Sequence, residues 1–341
     1  MLNELNAPTT LLQSYITWLI NLSPGTVATV TLCLFFALFV IVECNSPREK
    51  HLSKYLRQSY RTNLGLFIVN SVVMTLLSVP ALLMLAAHYA DKGVLNSVSN
   101  PGWKAVFSFL AIDLLLYLLH KASHTFDCLW MFHKVHHNDP FLNVSTAFRL
   151  HFLEILIINL MKAVLIVVLG IDGALLLVNE TITTVFTMLH HTNITLRGEQ
   201  LLGRVMITPY LHRVHHSTQR HEHDRNYGAV LSIWDRWFGT LAALKPAAIG
   251  LKGSSPQGLF KLVIYGLTRI DNASAHPVGL EDMIAEAAYY KAEKRGFYPG
   301  NELRDWLDAK REIIREGYAE KQLKNIFIQK WLDFVGGMNR A

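Results

Sequence analysis

The sequence predicts an all-α integral membrane protein, and three observations carry that prediction. The 341 residues are 51% hydrophobic and only 17% charged, against about 25% charged in ordinary soluble domains. Mean hydropathy is +0.24. Apolar runs of spanning length recur, and eight histidines stand in three clusters at the ends of long apolar stretches. The expected architecture is a bundle of about four to five membrane-inserted helices. A cytoplasmic His-rich cap and a C-terminal helical extension complete it.

Each element follows in order. Residues 9–22 place Leu11, Leu12, Tyr15, Trp18, Leu19 and Leu22 on one helical face, as an interfacial or packed amphipathic helix does. Residues 26–43 form the first span. Arg48, Lys50, Lys54, Arg57 and Arg61 follow, opposed only by Glu49, which puts this loop on the cytoplasmic side. Residues 64–90 are a second span. The weakly charged loop 91–102 is the outer turn, and 103–119 return the chain to the cytoplasm at His120. Residues 152–169 and 174–189, split by Gly170 to Gly173, form a short hairpin that delivers His190 and His191 to the same side. Residues 246–258 are a Gly/Pro/Ser-rich loop. Two amphipathic helices are expected within 280–316, and a third over 318–335.

The domain organisation read from this pattern has four parts. Residues 1–104 hold the N-terminal helix and spans, and 105–241 the domain that bears the histidine clusters. Residues 242–279 are a linker and loop region, and 280–341 a cytoplasmic amphipathic extension.

Net charge is +6, carried mostly by short loops beside apolar segments, which fits topology and headgroup contact. No basic stripe with interleaved aromatics points to nucleic acid. The cysteines, Cys33, Cys44 and Cys128, form no CxxC motif and no even framework, so structural disulfides are not expected. The N-terminus lacks the basic region of a secretory signal.

The chemistry lies in the histidines. His120 and His124 are four apart and share a helical face. His133, His136 and His137, and again His212, His215 and His216, follow an HxxHH pattern: two histidines on one face and a neighbour about 100° round, able to reach a second metal. Imidazole is the commonest biological metal ligand and suits iron, zinc and copper. So many neutral nitrogen ligands suit two ions. Two other classes use histidines in membranes: a histidine-rich metal transporter, which would place its ligands near the bilayer midplane, and a bis-histidine haem protein, which needs only two or four axial ligands.

The ordered set of Asp113 with the first cluster, the second cluster with residues 138–154, His190–Asn193, the third cluster, Asp224–Gly228 and Ile233–Thr240 resembles the fatty acid hydroxylase/sterol desaturase superfamily of membrane di-iron enzymes. The resemblance covers roughly residues 105–241, and the short gap between the first two clusters is most similar to the alkylglycerol monooxygenase branch. It implies two non-haem iron ions, O2 as co-substrate, and hydroxylation, desaturation or oxidative cleavage of a fatty acid, sterol or ether lipid. It places the metal ligands at His120, His124, His133, His136, His137, His212, His215 and His216, with a further ligand at the His190–His191 pair, His191 being favoured. Lys121 stands where the family usually has Arg.

Asp113, seven residues before His120, is read as accepting that imidazole's outer N–H. Asp224, Asn226 and Tyr227 follow the third cluster closely and join it as candidate catalytic residues, Tyr227 as a donor to an oxygen species or ligand. Glu154 and Glu180 are acids in apolar segments, where an ionisable group marks function by default. His151 is either a further ligand or a local partner of Glu154. His221 and His223 read as surface residues, His51, His88 and His276 as isolated ones, and Trp234, Trp237 and Phe238 as packing or interface anchors. No flavin, dinucleotide or haem fingerprint is visible, so two electrons must come from a separate reductase, ferredoxin or cytochrome. The stretch from 284 to 313 resembles a short bacterial domain of unknown function.

Overall fold

The computed structural model describes residues 22–246, 248–251 and 256–268, then 284–285, 287–289, 291–292, 295 and 298–315, with the side chains of 220 and 221 left aside. The helices expected over 9–22 and 318–335, and His276, lie outside the described residues. All the regular structure described is helical, apart from two isolated bridges. The chain divides into two compact units, Met1–Arg269 and Ile270–Ala341.

Among the described residues, four helices are long and apolar enough to cross a membrane: α1 (Pro24–Asn45), α2 (Ser53–Leu77), α4 (Pro101–Thr125) and α6 (Phe152–Leu169). The protein is an all-α, multi-pass membrane protein. α1 begins where Ser23 caps the Thr26 amide and Pro24 fills the first helical turn. The expected second span, 64–90, is instead two helices. α2 starts eleven residues earlier, at Ser53, and stops at Leu77; α3 (Val79–Tyr89) then restarts with Pro80 in its first turn. Proline has no amide to continue the ladder and its ring clashes with the preceding turn, which forces the break. α4 is capped by the Asn100 side chain and runs six residues past the expected end, carrying His120 and His124 on its last turns.

α5 (Asp127–His137) bears the second cluster. After a 3-10 turn at Val144–Phe148, α6 and α7 (Gly173–His191) form the expected hairpin. Its turn is tight: Gly170 has φ 71°, and the 91–100 loop presses on it so closely that a Cβ on Gly93 would lie 1.9 Å from the Gly170 nitrogen. The cap follows as α8 (Glu199–Leu202), α9 (Pro209–His215), α10 (Arg220–His223), α11 (Ile233–Trp237) and α12 (Leu259–Tyr265).

Lipid is as apolar as leucine, so polar contacts do much of the joining between spans. Asn70 of α2 donates to the Leu150 carbonyl at 2.8 Å, Asn159 of α6 to Ser78 at 2.9 Å, and Asn179 of α7 to Ser108 of α4 at 3.1 Å. At the histidine end a fully buried polar knot fixes α5. Asp139 accepts from Ser59, Asn63 and Thr146, while Arg149 reaches Asn63 and the Val135 carbonyl. Glu43, at the end of α1, accepts from the Val144 and Asn193 amides and from the Tyr60 hydroxyl. The basic segment 48–63 therefore packs at the same end as the histidines.

Residues 242–268, read from the sequence as linker, are tied into the first unit. Ala242 donates to Asn226, the Gln257 carbonyl accepts from Thr62, and Leu262 of α12 packs on Leu66 and Val135. In the second unit, residues 302–315 are helical, positions 284–285, 287–289 and 291–292 are helical as well, and Arg295 pairs with Asp305. The three cysteine thiols are free.

Candidate metal centre

Four elements bring the histidines together: the end of α4, α5, the end of α7 and α9. Their ring nitrogens converge in two groups, with one nitrogen from each residue lying within 4.8 Å of the others in its group. The first group holds His120, His124, His133, His137 and His215; the second holds His136, His191, His212 and His216. Helix geometry accounts for the split. In each HxxHH cluster the outer pair, four apart, shares a face, and the residue between points about 60° away from the first. His133 and His137 enter the first group while His136 crosses to the second. His212 and His216 enter the second while His215 crosses to the first. His190 sits outside both, its ring 4.0 Å from that of His212.

Within the groups, Nε2 atoms face one another: His124–His137 at 3.1 Å, His136–His191 and His191–His212 at 3.0 Å, and His212–His216 at 3.1 Å. The Nε2 atoms of His120, His133 and His215 are buried without any hydrogen-bond partner. Bare imidazole lone pairs so placed repel. Nitrogens that share one ion at a bond length of about 2.0–2.1 Å stand roughly 3 Å apart. Burial holds His136, His137, His212, His215 and His216 well below the ordinary histidine range, and the neighbouring imidazoles push further down. They are therefore the neutral ligands that a metal requires. The donor set fits two ions.

The outer nitrogens show what orients the rings. His120 Nδ1–H donates to the Tyr227 carbonyl at 2.8 Å and His215 Nδ1–H to the Arg225 carbonyl at 2.8 Å. His133 Nδ1 meets Glu154 Oε1 at 2.6 Å, His124 Nδ1 meets Asp224 at 3.1 Å, and His191 Nδ1–H donates to the Thr187 carbonyl at 2.7 Å. Each bond fixes the tautomer that leaves Nε2 free to point inward. In the first group four of the five rings are anchored this way. In the second group the Nδ1 atoms of His136, His212 and His216 lack a partner.

Several sequence expectations change. Asp113 does not reach His120, because seven residues along a helix is about 10 Å. It accepts instead from the Val230 and Leu231 amides and from the Trp234 indole. Asn226, at φ 55°, spends its side chain on the Leu211 and Ala242 backbone, so it shapes the loop and does not face the metal groups. His151 joins neither histidine group and spends its ring nitrogens elsewhere than on Glu154: it caps α6 through the Leu153 amide and donates to the Val263 carbonyl. His223, expected at the surface, packs on Trp130 and lies 3.3 Å from Asp224. Tyr227 lies edge-on to His120, His124 and His215, and burial raises its hydroxyl pKa, so the hydroxyl keeps its proton. Lys121 stands over the Phe238 ring.

The sequence reading missed Glu43, Asp139, Arg149 and Asn193, which hold the cluster-bearing elements. A charged or amide residue at the edge of an apolar run was the available signal. It also could not see that Glu154 serves His133.

Glu154 gives a direct test of this outer shell. Glu154→Gln keeps the shape but removes the charge that orients His133. Metal affinity of the first group should fall about 10–100-fold, read by chelator competition, with the helical circular dichroism unchanged. Unaltered affinity would show that the contact is packing only.

A cavity of about 510 Å3 opens from the histidines into the span bundle. Phe67, Met74, Leu119, Phe148 and Ile158 give it apolar walls, and Lys162 and Glu180 line it as well.

Residues 105–240 match the fatty acid hydroxylase family, and residues 280–314 match a family of unknown function, DUF2934. An alkylglycerol monooxygenase from Danio rerio is 30% identical over 192 residues, 56% of this chain and 37% of that protein. The Homo sapiens alkylglycerol monooxygenase is 32% identical over 141 residues, 41% of this chain and 31% of its own length. The ornithine lipid hydroxylase OlsE of Rhizobium tropici is 31% identical over 170 residues, 49% of this chain and 51% of its own. The chain thus spans about half or less of each of these relatives. No solved structure matches it.

Proposed function

We propose, from the match of residues 105–240 to the fatty acid hydroxylase family, that the protein is a membrane-bound, O2-dependent lipid oxidoreductase holding two non-haem irons, one in each histidine group. The observation that carries this reading is the pair of convergent histidine groups at the mouth of a cavity lined by the long apolar helices. When bound, the irons supply the oxidising chemistry on O2, with two electrons from a separate reductase, ferredoxin or cytochrome. The protein does the rest. The apolar walls take a lipid chain from the bilayer and hold it with a C–H bond beside the histidines. Glu154, Asp224 and the carbonyls of Tyr227 and Arg225 keep the rings aimed. Tyr227 and the cap loops cover the first group from water. Asp113 and Asn226 position those loops. The basic segment 48–63 at the histidine end supports a cytoplasmic position for the centre, by the positive-inside rule.

Alkylglycerols and ornithine lipids are the substrate classes to try first, because they are what the relatives' names describe. Four or five imidazoles converge on each point, with Nε2 atoms as close as 3.0 Å, which leaves no room for the broad porphyrin ring around an axial pair, so the geometry does not favour a haem protein. The test is turnover under labelled O2 with iron-loaded protein, a reductase system and a lipid panel. A product that gains one labelled oxygen, or loses two hydrogens while O2 is consumed, is the expected result. Absence of any O2-dependent product, with metal flux in sealed vesicles, would replace this reading with a transporter.

A further inference from the structure

The far part of the cavity is not built for plain hydrocarbon. Lys162 of α6 and Glu180 of α7 form an ion pair at 2.5 Å, and both line the cavity. Glu180 lies eleven residues before His191 on the same face of α7, hence about 16 Å from it along the helix axis. Between them, on α7, Thr183 also lines the cavity. Its neighbours Thr181 and Thr187 return their hydroxyl protons to carbonyls four residues back. Thr183 does not; its hydroxyl is buried without a hydrogen-bond partner. Asn159, one turn from Lys162, lines the same region.

A desolvated ion pair is costly inside a bilayer, as is an unsatisfied hydroxyl. A tie between α6 and α7 alone needs neither charge to face a cavity. An alkyl chain packed there would leave Thr183 unpaired and would strip the ion pair of any polar contact. A chain bearing a hydroxyl or amide at the right depth satisfies both.

We infer that the lipid taken by this cavity carries a second hydrogen-bonding group, a hydroxyl or amide, within its membrane-buried chain, read by Thr183 and the Lys162–Glu180 pair. The inference rests on the lipid-oxidising reading for the identity of the occupant. It adds a selection step: of the amphiphiles in the bilayer, the site favours those functionalised two to three helical turns from the carbon held at the histidines.

The test uses the full chain, iron-loaded, in nanodiscs. The probes are hexadecylglycerol and its isomers carrying one hydroxyl at successive chain positions, with affinity read by displacement of a spin-labelled lipid. One narrow range of positions should bind about tenfold more tightly than the parent, the worth of one hydrogen bond in a dry site. Thr183→Val should flatten that preference without weakening the parent. Lys162→Met/Glu180→Leu, changed together so that no charge is left unpaired, should flatten it too if Thr183→Val fails to fold. A flat profile in the wild-type protein, or a preference that survives both replacements, overturns the proposal. Iron content and O2 consumption are measured on the same samples. A positional preference in protein that neither holds iron nor consumes O2 would sink the oxidase reading alone, whereas turnover with a flat profile would sink this one alone.

Discussion

Replacing His136 and His215 together by alanine should abolish metal binding and O2-dependent turnover, while His136→Ala and His215→Ala singly should each cost about one ion. The two residues sit in neighbouring clusters of the chain, yet they belong to different groups, His215 among five nitrogens and His136 among four. Loss of one ligand in a buried set removes a bond and leaves a cavity lined by the remaining neutral rings. The two ions should also differ in hold. Four of five rings in the first group have their outer nitrogens anchored by carbonyls or carboxylates, against one of four in the second. Outer-shell bonds are worth about 10–100-fold in affinity each. A chelator titration of the iron-loaded protein should therefore remove metal in two steps, the second group first, and His136→Ala should abolish the early step alone. Elemental analysis and chelator titration read both statements. Equal metal content in the wild-type protein and the double variant would end the assignment of these groups as the iron sites.

The histidines were legible because their chemistry leaves few alternatives. A metal needs specific side chains, and a helix brings them together only at spacings of three and four, so identity and spacing are both local. The spans were legible for a related reason, since a bilayer demands a continuous apolar run. What the chain hides is pairing across distance. Glu154 is twenty-one residues from the His133 it orients, and the Tyr227 carbonyl that holds His120 is a backbone atom, with no side-chain identity to read. The break at Ser78 was within reach, because Pro80 announces a first turn, but the surrounding hydropathy is continuous and masks it. Asp113 and His120 share a helical face, but an axial separation of about 10 Å keeps the carboxylate from the ring. The polar lining of the cavity was half visible, in that Glu180 was conspicuous, but its meaning depends on Lys162 across the hairpin and on Thr183, whose buried hydroxyl, unlike those of Thr181 and Thr187, does not bond its own helix.

Asp113 carries the second large effect. Its carboxylate is fully buried and accepts from the Val230 amide at 3.0 Å, the Leu231 amide at 3.2 Å and the Trp234 indole at 2.8 Å. Asp235 does the same work from the other side of the loop, accepting from the Tyr227 and Gly228 amides and from the Thr240 hydroxyl. Two carboxylates thus fold the segment from Asp224 to Thr240, and that segment supplies the outer-nitrogen partners of His120, His124 and His215. Asp113→Ala would strand three donors, two of them buried and the Leu231 amide part-buried, at about 1–3 kcal/mol for each buried one. A loss of at least about 3 kcal/mol is expected, visible as a large drop in Tm in detergent. Metal should then leave the first group preferentially, because three of its five rings lose their alignment, while the second group, held from α5, α7 and α9, keeps its ion. Asp113→Asn retains one acceptor and should fall between the two. Had Asp113 served His120 directly, the variant would have lowered metal affinity with little change in Tm. An unchanged Tm beside weakened metal binding is therefore the result that would restore the simpler role, and a lowered Tm with preferential loss from the first group is the result that makes Asp113 the anchor of the cap.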